Sequence, residues 1–293
     1  MEHGARWGAK VPRDTEQMSP EVKALLSDVG GRLPSGTRLQ LVREPGGDRA
    51  RASGVRVRVV DSLGAGDGHL SRTFTSLEAL LDEDWREAGL EVSTRRARRG
   101  EGDWVWSSRP LLLVCAHGAR DACCARQGVG VYLAIKDALD LRPQPGWDPE
   151  VWQTSHLGGH RFAAVAVSLP DAYVYGRLQA VEADALVEDL ARGELPPLAR
   201  VRGNANLAPA VQAAELFARE HLGVRGVRSA SVVGHAERGG GVHEVHVLVD
   251  GRRVEVEVTP RSVPLAVLGS CADATSREMF PFELVALRDL GPG

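Results

Sequence analysis

The chain has 293 residues, of which 43% are hydrophobic and 26% are charged, proportions that are typical of globular proteins. A formal net charge of −3 gives it no general attraction to nucleic acid. The sequence contains no uninterrupted apolar stretch of about 18 residues, and its N-terminus lacks the apolar core of a secretory signal. We therefore expect a cytoplasmic protein that binds neither nucleic acid nor membranes.

The first part of the chain, residues 1–107, has the pattern of a mixed α/β region. Ser19 followed by Pro20 is typical of the start of a helix, with serine as the N-cap. Thr75 and Glu78 have the spacing of a capping box, which predicts a second helical segment.

Between these two helical signals, residues 37–42 and 55–60 alternate apolar and polar side chains. A Pro-Gly-Gly sequence at 45–47 separates them, and this pattern favours a hairpin or two adjacent strands. The basic stretch at 95–102 places a boundary before the next region.

The middle of the chain, residues 108–225, predicts a domain with the element order β-α-β-β-β-α. A continuous apolar strand followed by a helix is what a buried, mainly parallel sheet requires. The predicted elements are strands at 111–115, 151–154, 162–169 and 173–178, and helices at 125–139 and 181–190.

The last part, residues 226–293, predicts a β-hairpin-rich extension, which follows a helix beginning near Pro209. Valines alternate over 245–249 and 254–258 on either side of Asp250-Gly251. Asp-Gly between two such runs is a strong signal for a hairpin.

Three of the four cysteines, Cys115, Cys123 and Cys124, lie close together in the sequence. In a reducing compartment we expect such thiols to bind metal or to act in redox chemistry. Two loops carry the candidate ligands: CAHGARDACC at 115–124 and HLGGH at 156–160. If their strands are neighbours, thiols and imidazoles converge at one sheet edge, a donor set that binds metals.

These motifs resemble those of the sucrase/ferredoxin-like family, whose C-terminal half is similar to thioredoxin-like [2Fe-2S] ferredoxins. The resemblance is carried by VCAHGARDACCA, by WQTSHLGGHRFA and by the following YVYGRL. It implies a thioredoxin-like domain that binds one [2Fe-2S] cluster through two cysteines nine positions apart and two histidines. The ligands implied here are Cys115, Cys124, His156 and His160.

The resemblance also implies a role in electron transfer with a redox partner protein or a reductase. Rieske centres, which have the same ligand set, span roughly −150 to +300 mV, against about −400 mV for all-cysteine plant ferredoxins. Imidazole ligands also predict coupling of proton uptake to reduction. Trp7-Gly8 looks like a family motif, but the cysteine-containing segment and the strand that usually precede it are absent.

Other polar side chains of the two loops have supporting roles in this interpretation. We expect His117 to hydrogen-bond a backbone group or a cluster sulfur behind the ligands, the alternative being that it replaces one of the paired histidines as a ligand. Arg120 is expected to lower a thiolate pKa, to attract a partner, or simply to pair with Asp121. Cys123 is a packed neighbour, an alternative ligand or an oxidisable thiol, and Cys271 is structural.

Two other functions also fit the sequence. A structural zinc protein would use the same Cys2His2 set, and a thioredoxin-like thiol oxidoreductase would use Cys123 or Cys124 as its nucleophile, although the usual Cys-x-x-Cys is missing. Sucrase activity is disfavoured because no pair of carboxylates is singled out. We expect an electron carrier more than a catalyst.

Overall fold

The computed structural model describes residues 1–32, 37–44, 54–62, 67–271 and 273–293. The Pro-Gly-Gly turn predicted at 45–47 lies outside the described residues. Within those ranges, no helix is both long enough and apolar enough to cross a lipid bilayer.

The first helix, α1 (Pro20–Arg32), begins where the sequence predicts. Ser19 Oγ accepts a hydrogen bond from the backbone N–H of Val22 at 3.3 Å, as an N-cap should. The capping box predicted at Thr75 is wrong. A short 3-10 helix, Glu78–Asp82, forms instead, and Ser76 Oγ accepts from the N–H of Ala79.

The hairpin predicted between residues 37–42 and 55–60 is also wrong. Strand β1 (Val42–Arg43) pairs with the distant strand β6 (Glu150–Thr154), while β2 (Val55–Val59) pairs with the strand that follows it. The side chain of Ser155 favours the pairing of β1 with β6, because its Oγ accepts the N–H of Leu41 at 3.0 Å. The backbone of this segment thereby finds its partners at the end of β6.

The N-terminal part contains a three-stranded antiparallel sheet in the order β2-β3-β4. Its further elements are β3 (His69–Phe74), helix α2 (Glu87–Ala97) and β4 (Val105–Ser107). The sheet shares an aromatic core with α1, including Phe74, Trp85 and Trp104.

The middle part is built on a six-stranded sheet. Its further elements are β5 (Leu111–Cys115), α3 (Ala122–Leu141), β7 (Ala166–Leu169), β8 (Tyr173–Tyr175), α4 (Ala183–Ala191) and β9 (Val201–Asn204). The strand order is β1-β6-β5-β7-β8-β9, with β5 and β6 parallel and β7 and β8 antiparallel. The predicted order β-α-β-β-β-α is confirmed, and the fold of this part is mixed α/β.

Helix α3 lies unusually close to β5, and a glycine makes this possible. A Cβ atom added to Gly128 would stand 1.9 Å from the carbonyl oxygen of Cys115. Tyr132 and Ile135 continue the same buried face of the helix into the core of the sheet. The close approach places the first turn of α3, with Cys124, beside the end of β5.

The C-terminal part is rich in β-structure, as predicted. Its elements are α5 (Pro209–Leu222), β10 (Ala230–Glu237), β11 (His243–Val249), β12 (Arg252–Pro260), β13 (Leu265–Val267), β14 (Arg277–Met279) and β15 (Phe282–Pro292). Four of these strands form one sheet, β10-β11-β12-β15, and β13 pairs with β14. The predicted hairpin is confirmed, and both Asp250 and Gly251 have a positive φ, as a type I′ turn requires.

Helix α5 packs its small residues on the buried valines of this four-stranded sheet. Fully buried Arg219, in the same helix, bonds to Glu215 Oε1 at 2.8 Å and to Tyr173 Oη at 2.8 Å. It also donates to the carbonyl oxygens of Gly226 and Val227. This network connects α5 to β8 and to the turn before β10. The domain boundaries that the sequence predicts at residues 107 and 225 remain predictions.

Candidate metal centre

The two loops with the predicted ligands leave the central sheet at the same edge. Strands β5 and β6 are parallel neighbours, and Cys115 at the end of β5 is paired with Thr154 at the end of β6. The chain after Cys115 runs into α3, and the chain after Thr154 runs into the HLGGH loop. Parallel pairing therefore brings both loops to one place, as the sequence predicts.

The four predicted ligands lie together at this edge. One ligand atom each of Cys115, Cys124 and His156 lies within 4.8 Å of the other two, and the same holds for Asp121, Cys124 and His160. The rings of His156 and His160 are stacked, with centroids 4.3 Å apart. Cys115 and Cys124 are each only 1% exposed.

The backbone of the second loop is shaped by its glycines. Gly158 has a φ of +92° and Gly159 a φ of +69°, a conformation that side chains with a Cβ rarely adopt. A Cβ on Gly159 would also lie 2.7 Å from Nη1 of Arg202. These two glycines let His156 and His160 stack without helical spacing.

Two imidazole nitrogens at this site have no hydrogen-bond partner. Among the described residues, His156 Nδ1 and His160 Nδ1 are both buried and unpaired. A buried polar atom without a partner costs about 1–3 kcal/mol, whereas coordination to a metal would use its lone pair. Two buried sulfur atoms and two such nitrogens are a donor set that suits iron or zinc, so the residues fit a metal or an iron-sulfur cluster.

The two thiols differ in their electrostatic setting. A hydrogen bond from Cys124 is the main reason that the pKa of Cys115 falls to about 4, with further bonds from His156 and from the N–H groups of His117 and Leu157. The same bond to Cys115, with burial, raises the pKa of Cys124. Cys115 is therefore stabilised as the thiolate, which is the form that binds metal.

His117 supports the site and links it to the N-terminus of the chain. This buried histidine accepts the N–H of His156 on Nδ1 at 3.1 Å and contacts the carbonyl oxygen of Gly8 through Nε2 at 2.8 Å. Trp7 packs edge-on against its ring. The Trp7-Gly8 motif thus contacts His117, which in turn bonds to the first residue of the HLGGH loop.

Asp121 is a residue at this site whose role the sequence analysis missed. It is the N-cap of α3, and its Oδ1 accepts the N–H of Cys123 at 2.9 Å. Its Oδ2 lies 3.7 Å from His160 Nδ1. Burial alone would raise the pKa of Asp121, but hydrogen bonds from Cys271, Ser270 and Cys123 N–H outweigh it and keep the carboxylate ionised. A signal was present, since aspartate just before a helical run is a typical N-cap.

Cys123 and Arg120 are not among the four clustered side chains. Successive helical residues are rotated by about 100°, so Cys123 is half-buried beside Asp121 and Cys271 while Cys124 faces Cys115. A hydrogen bond to Cys271 is the main reason that the pKa of Cys123 rises to about 11. Arg120 is exposed, and the ion pair considered for it with Asp121 is absent from the contacts of the described residues.

An arginine cluster lies next to the HLGGH loop. The guanidinium groups of Arg161, Arg177 and Arg202 surround the ring of Phe162, at 4.4, 5.1 and 4.7 Å from its centroid. Burial, and secondly the charge of Arg277, lowers the pKa of Arg161. Within the described part of the chain, none of these four arginines has a carboxylate within ion-pair distance, so a positive surface borders the site.

Comparison with known proteins identifies the family. The profile described as "Sucrase/ferredoxin-like" matches residues 16–203, more than half of the chain. No match was found among curated proteins.

Solved structures similar to this chain include the wild-type thioredoxin-like [2Fe-2S] ferredoxin from Aquifex aeolicus. It is 21% identical, with a TM-score of 0.29, and the match covers 33% of this chain and 98% of the ferredoxin. A second structure of a thioredoxin-like [2Fe-2S] ferredoxin from this organism is 22% identical, with a TM-score of 0.28, and the match covers 32% and 89% of the two chains. The family match extends from residue 16 through most of the N-terminal region and over both ligand loops, and the protein accordingly belongs to the sucrase/ferredoxin-like family.

Proposed function

We propose that this protein transfers electrons through one [2Fe-2S] cluster held by Cys115, Cys124, His156 and His160. The observation that carries the proposal is the convergence of two buried sulfur atoms and two buried, unpartnered imidazole nitrogens at one sheet edge. Membership of the sucrase/ferredoxin-like family supports it. A bound cluster would supply one-electron chemistry, and neutral imidazole ligands favour a higher potential than four thiolates do.

The protein's own residues shape the conditions for that chemistry. Hydrogen bonds to Cys115 from two backbone N–H groups stabilise negative charge on its sulfur. Such bonds are among the factors that set cluster potentials. Asp121 and His117 fix the two ligand loops, and Trp7 packs edge-on against the ring of His117.

An anaerobic preparation, analysed for iron, sulfide and zinc with its visible spectrum, tests the proposal. We expect two iron atoms and two sulfides per chain, and visible absorption that bleaches on reduction with dithionite. A colourless protein with stoichiometric zinc would instead establish the structural zinc site. A metal-free protein that exchanges disulfides would establish the thiol oxidoreductase.

We further propose that the redox partner is a protein that presents carboxylates to the arginine cluster. The three guanidinium groups around Phe162 have no carboxylate partner among the described residues and attract anions. Arg161, one of the three, directly follows His160 in the chain. Complementary charge increases association rates more than it increases affinity. The partner would then dock on the surface beside the HLGGH loop, which carries two of the four proposed ligands.

Small oxidants of opposite charge test this surface. In stopped-flow experiments at low salt, the reduced protein is mixed with ferricyanide, an anionic oxidant. We expect the reduced double variant Arg161→Gln, Arg202→Gln to be oxidised about tenfold more slowly than the reduced wild type. Its oxidation by tris(phenanthroline)cobalt(III), a cation, should not slow. Arg95→Gln with Arg99→Gln on the exposed end of the α2 region is the matched control for net charge. An equal loss of rate in both double variants would contradict the proposal.

A further inference from the structure

Cys123 and Cys271 are far apart in the sequence but adjacent in the fold. Their sulfur atoms and a carboxylate oxygen of Asp121 all lie within 4.8 Å of one another. Both are free thiols; Cys123 is half-buried, and Cys271 is exposed on the segment between β13 and β14. Neither belongs to the four residues proposed to hold the cluster.

Asp121 fixes this juxtaposition from both sides. Its Oδ1 accepts the N–H of Cys123 at 2.9 Å and the Cys271 thiol at 3.0 Å, and its Oδ2 accepts the hydroxyl of Ser270. The contact with Ser270 does not involve either sulfur atom. The segment that carries Cys271 is therefore held against the first turn of α3 even when the thiol hydrogen bond is lost.

We propose that Cys123 and Cys271 form a reversible disulfide by exchange with a low-molecular-weight disulfide of the glutathione class. A disulfide needs a sulfur-sulfur distance of about 2.05 Å, and rotation of the exposed Cys271 side chain can close a gap of this size. A preformed pair also favours the internal bond over two separate mixed disulfides, because the second thiol has a high effective concentration. The proposal does not depend on which metal the neighbouring site holds.

The exchange balances without any other reactant. The Cys271 thiolate attacks one sulfur of glutathione disulfide, forming a mixed disulfide and releasing the first glutathione thiolate. The Cys123 thiolate then attacks Cys271 Sγ, and the second glutathione leaves. One glutathione disulfide is reduced to two glutathione molecules, which take up the two thiol protons, and the protein pair is oxidised by two electrons.

The bridge would join two parts of the chain at the rim of the candidate metal centre. It would connect the segment before β14 to the start of α3, the helix that carries Cys124. The conformational freedom of the first turn of α3 would then depend on the ratio of reduced to oxidised glutathione. In this way a redox change in the surroundings reaches the site through a covalent bond.

Thiol trapping of the full-length protein tests the proposal. The protein is equilibrated anaerobically at a series of ratios of reduced to oxidised glutathione, quenched with acid and alkylated with N-ethylmaleimide. Intact mass and non-reducing tryptic maps then report the linkages. We expect the peptide 121–126 to be cross-linked to the peptide 262–277, and an excess of reduced glutathione to reverse the link.

Two variants identify the sulfur atoms, since trypsin leaves Cys123 and Cys124 in one peptide. Cys123→Ser should lose the cross-link and accumulate a single glutathione on Cys271, and Cys271→Ser should lose the cross-link as well. A cross-link that persists in Cys123→Ser would assign Cys124 as the partner and overturn the proposal. So would a wild-type protein whose Cys271 stays reduced or glutathionylated at every ratio.

Discussion

The variant Cys124→Ser is expected to lose the iron-sulfur cluster, with iron falling from two atoms per chain to nearly none. Cys124 is 1% exposed and shares its surroundings with Cys115 and His156, so a hydroxyl at this position removes one of the buried sulfur donors. Serine is a poor substitute because iron-sulfur clusters are held chiefly by thiolates. Iron and sulfide analysis of anaerobically purified protein is the measurement.

Cys123→Ser provides the matched control, because it makes the same chemical change one residue earlier in the same helix. Its side chain lies beside Asp121 and Cys271, away from Cys115. We expect this variant to keep both iron atoms and its visible spectrum. Equal iron content in the two variants would show that the ligand assignment is wrong.

Arg219→Leu is expected to lower the free energy of unfolding by about 3–5 kcal/mol, the range found when one partner of a buried ion pair is removed. The guanidinium group is fully buried and bonds to Glu215, Tyr173 and two carbonyl oxygens. Leucine would leave the Glu215 carboxyl group buried without its counter-charge. Urea unfolding measures this loss of unfolding free energy, provided that the slope of free energy against urea concentration is the same as in the wild type.

Arg228→Leu is the control for this substitution, since Arg228 pairs with Asp171 at 3.2 Å while its side chain is 72% exposed. Exposed pairs contribute roughly 0–1 kcal/mol, so this variant should be close to wild type. The double variant Arg219→Leu, Glu215→Leu should recover part of the stability, because it removes both buried charges. Equal losses for the two arginine variants would contradict the role of the buried network.

Several local patterns of the sequence predicted the structure correctly, although the capping box at Thr75 did not. The apolar strand before Cys115, the helix after it and the hairpin at Asp250-Gly251 follow from periodicity and turn chemistry, and all three are present. The convergence of the two ligand loops could also be predicted, because it needs only that β5 and β6 be parallel neighbours.

Contacts between distant parts of the chain could not be predicted in the same way. The pairing of β1 with β6 depends on Ser155 bonding to the backbone of Leu41, which no local pattern announces. Ser270 and Cys271, which lie on the segment between β13 and β14, bond to Asp121 across about 150 positions of the chain. The link from Gly8 to His117 likewise exists only in the folded chain.

Strand β1 has a consequence for the outer border of the central sheet. Without it, β6 would present a row of free N–H and C=O groups to solvent, and such borders recruit strands from other molecules. Val42 and Arg43 pair with the last two residues of β6, and Val42 donates its N–H to the carbonyl oxygen of Met1 at 2.8 Å. The N-terminal region thus occupies part of a border that could otherwise pair with a strand of another molecule. A shortened protein that begins at β5 would need a substitute for it.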